Sequence, residues 1–99
     1  KIILMYYPMS QYDLLGFERS HLPAKKYNAV LAEKATGREI RVPFGAVGYA
    51  QYEDTTGLGL YTKQNHLNEA RRARFRQRFT GYLRNGYFSP SYFAYFYLW

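Results

Sequence analysis

A chain of 99 residues with no cysteine makes one small domain and excludes both a disulfide framework and a thiolate metal site. The net charge of +7, from 14 Lys+Arg against 7 Asp+Glu, selects for acidic partners: nucleic acid, an acidic protein or an anionic surface. The 12 Tyr, 7 Phe and single Trp are more ring surface than so small a core readily hides, since each buried ring removes about 150–250 Å2 from water. The surplus points to contact with a partner, where aromatic residues and Arg are enriched. The competing reading is a tyrosine-rich core with some hydroxyls left at the surface.

In chain order, residues 1–24 read as an extended arm. Ile2–Tyr7 favours strand by its β-branched and aromatic content, but this apolar run is stopped by Pro8 and is too short to span a membrane. Pro8, Ser10, Asp13, Gly16 and Pro23 then break any long element, leaving room for a helical turn at 11–15. The competing reading is a first strand of the domain's own sheet. Residues 25–99 form the single domain. A hairpin opens it: Tyr27, Ala29 and Leu31 alternate with Asn28, Val30 and Ala32, and Ile40, Val42 and Phe44 alternate with Glu39, Arg41 and Pro43. Lys34-Ala35-Thr36-Gly37 is the turn between them, and Pro43, lacking a ladder donor, puts the second strand at an edge or ends it there.

Residues 45–65 are loop-rich, with glycines at 45, 48, 57 and 59 and a turn or cap signal at Asp54-Thr55-Thr56. A helix is predicted over 66–85, with Asn65 as its cap, Glu69 in the first turn, and Phe75, Phe79, Tyr82 and Leu83 as its apolar stripe. Ser89-Pro90 is a helix start. The segment from Ser91 to Trp99 is apolar on every face, so periodicity leaves helix and strand equally open. The fold class expected is α+β: a small hairpin or sheet packed on one Arg-rich amphipathic helix, with an N-terminal arm and an aromatic C-terminal segment.

The densest chemistry lies in Arg71, Arg72, Arg74, Arg76 and Arg78. On a helical wheel centred on Phe75, Arg71, Arg74 and Arg78 flank the stripe on one side, and Arg72 and Arg76 on the other. Guanidinium forks placed there bind phosphates of a nucleic acid, or carboxylates and carbonyls of a neighbouring protein. The plain alternative is a solvated basic face with local pairs such as Glu69–Arg72. Tyr6, Tyr7 and Tyr12 are further candidate contact residues. His21 and His66 stand alone without metal-pair spacing, and no nucleophile motif occurs, so neither enzyme activity, metal nor cofactor is expected.

The stretch from about Lys26 to Trp99 resembles an uncharacterised family of small proteins of large DNA viruses and some phages. The resemblance is carried by Val42-Pro43-Phe44-Gly45-Ala46-Val47-Gly48-Tyr49-Ala50-Gln51-Tyr52, by the run from Arg71 to Phe79, and by the closing Tyr97-Leu98-Trp99. The family places Arg-His where this chain has Arg78-Phe79, a departure that argues against histidine chemistry. The resemblance implies a viral origin and no assigned activity. The expectation that follows is a minor structural protein of a virion, a capsid or cement protein binding other virion proteins within a large assembly. The alternatives are a non-specific nucleic-acid-binding accessory protein and, more remotely, a small ribosome-type protein.

Overall fold

The computed structural model describes residues 6–79 and 86–99. Strands β2 (Tyr12–Arg19), β3 (Lys25–Glu33) and β4 (Glu39–Ala46) form an antiparallel sheet in the order β2-β3-β4. A two-stranded ribbon joins β1 (Tyr7–Pro8) to β5 (Tyr87–Phe88). Helices α1 (Glu69–Phe79) and α2 (Pro90–Tyr97) complete an α+β fold.

The alternation read in the hairpin sets its register. Tyr27 lies opposite Phe44, Ala29 opposite Val42 and Leu31 opposite Ile40, so one face carries the apolar set of both strands. Tyr27, Ala29, Leu31, Val42 and Phe44 are all buried, and Ile40 is half-buried. Gly37 closes the turn at φ 75°, a conformation that L side chains avoid. Of the two readings of Pro43 the edge strand holds: β4 lies at the sheet's edge and runs on past Pro43 to Ala46.

α2 covers this apolar face. Ser89 caps it by accepting a hydrogen bond from the Tyr92 amide at 3.1 Å, and Pro90 supplies the first turn. Its Phe93 is fully buried, with ring centroids 5.5 Å from Phe44, 5.6 Å from Phe88 and 6.0 Å from Phe17. The segment left open between helix and strand is a helix, capped by Ser89 and docked through Phe93 on the sheet's apolar face.

Part of the N-terminal stretch is corrected by the structure. Tyr12–Arg19 is neither arm nor helical turn but a full strand of the sheet, running from Tyr12 opposite Glu33 to Arg19 opposite Tyr27. The break that disguised it is a register shift between Leu14 and Gly16, which leaves Leu15 outside the ladder and more than half exposed. β3, with its buried inner face, takes partners on both edges. Residues 1–5 lie outside the described residues.

Candidate functional site

Between β4 and α1 the chain makes a long loop, and its anchors position everything around the arginine helix. Gln51 is the central bolt. Its Nε2 donates to the Tyr61 carbonyl at 3.1 Å and to Asn65 Oδ1 at 2.8 Å, and its Oε1 accepts from Lys26 Nζ at 2.7 Å. Lys26 is only 2% exposed and also donates to the Tyr49 carbonyl at 2.7 Å. Burial depresses its pKa from 10.5 to about 8, against a raising influence from Asp54. Tyr27 donates its hydroxyl to Asp54 and accepts from the Leu60 amide, pinning the far side of the loop. The loop then caps α2, with the amides of Tyr52 and Glu53 on the Leu98 carbonyl and that of Thr55 on the Tyr97 carbonyl. Asp54-Thr55-Thr56 is thus a turn, closed by Asp54 Oδ1 accepting from both the amide and the hydroxyl of Thr56.

The helix starts later than the sequence suggests. Leu67 adopts φ 54°, which ends the loop, and Asn68 rather than Asn65 is the cap, accepting the Arg71 amide at 3.1 Å. Asn65 is occupied elsewhere, with its Oδ1 taken by Gln51 and by the Asp54 amide. Phe75 and Phe79 are half-buried, and no described residue of α1 is fully buried. The predicted stripe positions Tyr82 and Leu83 fall outside the described residues.

What α1 packs against is the end of the chain's aromatic segment. Phe75 stacks on Trp99 with centroids 4.3 Å apart and planes 5° from parallel, and Phe79 stacks on the other face of Phe75 at 4.3 Å. His66 tilts against Trp99 at 5.1 Å. Its Nδ1 accepts the Asn68 amide, and burial together with the nearby Arg71 charge lowers its pKa, favouring the neutral ring.

Around this stack the five arginines divide by role. Arg72 and Arg76 turn inward: both donate from Nε to the Trp99 backbone oxygen, at 2.7 and 3.2 Å. Arg72 also lies 4.6 Å from the Tyr52 ring centroid, and Arg76 4.7 Å from that of Tyr95. Tyr52 in turn donates its hydroxyl to Glu69, which stands 3.8 Å from Arg72. Arg71, Arg74 and Arg78 are exposed on the other flank, and among the described residues none of the three makes an ion pair. Arg78 rests 5.1 Å from the Phe79 ring. Together with Phe75 and Trp99 these three line an open groove of about 220 Å3.

The tyrosines named with the arginines form a separate group. Tyr7 and Tyr12 meet edge to face at 5.3 Å and pack against the core from β1 and the start of β2, and Tyr6 is half-buried beside them in sequence. None of the three lines the arginine groove. Of the two histidines only His21 is likewise apart: its Nδ1 meets the Asn28 amide nitrogen at 2.9 Å, within a latch that also holds Glu18, Ser20 and Arg41. Glu18 is held below its usual carboxylate range by Asn28 and Arg41, despite some desolvation. Sequence reasoning missed the part played by Lys26, Tyr52, Tyr95 and Trp99 at the arginine site. A lysine inside an alternating apolar strand was the available signal for the first; the others carried none distinct from ordinary core aromatics.

Chemically, the surface offers fixed positive charge, guanidinium donors and ring edges. Compared with protein-family models, with curated proteins and with solved structures, the chain matches none.

Proposed function

We propose that this protein is a binding module without catalytic activity, which attaches to an acidic partner through Arg71, Arg74 and Arg78, and that it serves as a minor structural protein of a virus particle. The observation that carries the binding reading is the division of labour on α1. Arg72 and Arg76 are spent on the Trp99 backbone oxygen, whereas three exposed guanidiniums share one flank with no ion pair among the described residues. Forks held on a helix lose less freedom on binding than lysine ammoniums and match carboxylates in pairs. The viral part rests on the sequence resemblance through Phe44-Gly45-Ala46-Val47-Gly48-Tyr49, the arginine run and Leu98-Trp99.

A protein partner is favoured over nucleic acid by the state of the rings. Single-strand binders present free aromatic faces for bases to stack on. Here Phe75 has a ring on each face, from Trp99 and Phe79, and the Phe79 ring lies beside Arg78. Two measurements test the proposal. Mass spectrometry of purified particles of the encoding virus should detect the chain, and its absence removes the structural role. Titration with poly-glutamate and with an oligothymidylate at low and moderate salt should show tighter binding of the former, lost in Arg71→Gln/Arg74→Gln/Arg78→Gln. Tighter, steeply salt-dependent binding of the oligonucleotide would instead make the protein a nucleic-acid accessory factor.

A further inference from the structure

Beside the arginine groove lies a larger cavity of about 480 Å3, within the range of about 300–1,000 Å3 typical of ligand-holding clefts. It sits where the end of β4, α1 and the α2 segment converge. Gly45 keeps it in shape: at φ 78° a Cβ there would come within 2.9 Å of Leu98 Cδ1, so only glycine lets the strand pass the helix end this closely. Its apolar wall includes Phe44, Ala94, Leu98 and Trp99. Among the described residues its charged lining is all cationic, Lys25, Lys26, Arg71 and Arg78, with no carboxylate. An apolar hollow ringed by cations, with no carboxylate among its described lining residues, is complementary to an apolar side chain carried between acidic residues. It is poorly matched to a purely polar anion, which would leave the apolar wall uncovered.

We infer that this cavity receives a leucine or aromatic anchor from a partner protein segment in which acidic residues flank the anchor, the carboxylates meeting Arg71 and Arg78 at the mouth. This deepens the acidic-partner reading above and rests on it. Buried anchors of this kind, not rim charges, supply most of the affinity at protein interfaces, while the charges set orientation and on-rate. The site therefore gives the protein a means of choosing among acidic surfaces that the arginines alone would bind indiscriminately.

Trp99 is the single tryptophan and lines the cavity, so its emission reports occupancy. The probes are two synthetic tryptophan-free peptides of equal charge, one with leucine and phenylalanine between acidic residues and one with alanines in their place. The full chain should bind the anchored peptide at least tenfold more tightly, with a shift of Trp99 emission that the alanine peptide does not produce. Ala94→Phe, which fills the cavity without altering charge, should bring the two peptides to equal, weak binding. Ser91→Phe fills it from one turn earlier on α2 should the first variant fail to fold, as checked by circular dichroism. Arg71→Gln/Arg78→Gln should weaken both peptides together. Equal binding of the two peptides by the unaltered chain would overturn the anchor site and leave the acidic-partner reading standing. Binding of neither peptide, with an oligothymidylate still bound, would overturn both.

Discussion

Position 45 combines a positive φ of 78° with a neighbour, Leu98 Cδ1, standing 2.9 Å from where a Cβ would be. Gly45→Ala therefore meets both a left-handed backbone penalty and an overpacked contact, and should cost about 2 kcal/mol in chemical denaturation. Lys26 shows a different residue-scale effect. Its ammonium is buried and held by two oxygens, yet burial brings its pKa from 10.5 down to about 8. The unfolded chain thus binds this proton more tightly than the fold does, so stability rises with pH between those two values. Denaturation at pH 7.5 and 9.5 should show a gain on the order of 1 kcal/mol at the higher pH. Lys26→Met should flatten that slope while lowering stability at both, because the Tyr49 carbonyl and Gln51 Oε1 lose their donor. From pH 10 upward Tyr27 opposes this gain: burial and then Asp54 raise the Tyr27 pKa, so its contribution is present below 10 and is lost as pH climbs through the raised value.

On the scale of elements, α1 is a helix held by its polar side chains as much as by its apolar ones. Phe75 and Phe79 are only half-buried, and the inward contacts include two guanidiniums on the Trp99 backbone oxygen. Arg72→Gln/Arg76→Gln should lower stability by about 1–2 kcal/mol and loosen α1 in amide exchange, since both the hydrogen bonds and the contacts with the Tyr52 and Tyr95 rings disappear. The outward set, Arg71, Arg74 and Arg78, should behave oppositely: removing it leaves stability nearly unchanged and abolishes binding to acidic ligands. A double dissociation of this sort would not arise if all five formed one solvated face. The wheel drawn from sequence already placed the five on two flanks of Phe75. It could not say which flank met protein, because arginine serves a carbonyl and a foreign carboxylate equally well.

For the molecule as a whole, one side chain ties α2 to both sheets. Phe93 is fully buried and in ring contact with Phe17 of β2, Phe44 of β4 and Phe88 of β5. Phe93→Ala should cost about 3–5 kcal/mol, a large share of the stability of a domain this size, and should erase the near-ultraviolet dichroism of the packed rings. The same cluster revises the aromatic surplus inferred from composition. Much of it is used internally: Phe17, Tyr27, Phe44, Phe88 and Phe93 fill one core, and Phe75, Phe79 and Trp99 stack as a second group. Among the large hydrophobics left exposed are Tyr87, Phe96 and Tyr49, the last expected from sequence to pin its loop to the core.

The amino-acid sequence alone determined the hairpin, because a two-residue period on both sides of a glycine turn sets Tyr27, Ala29 and Leu31 on one face of the first strand and Ile40, Val42 and Phe44 on one face of the second, which the fold pairs. It also determined the start of α2, through Ser89-Pro90, and the basic, cysteine-free character that points to acidic partners. Only the tertiary structure decided that 12–19 joins the sheet, that Asn68 caps α1, and that Arg72 and Arg76 are internal ties while Arg71, Arg74 and Arg78 face outward. Those outcomes depend on contacts between residues distant in the chain, such as Arg72 with Trp99 and Gln51 with Asn65. A local pattern records which groups need partners, and the fold assigns the partners.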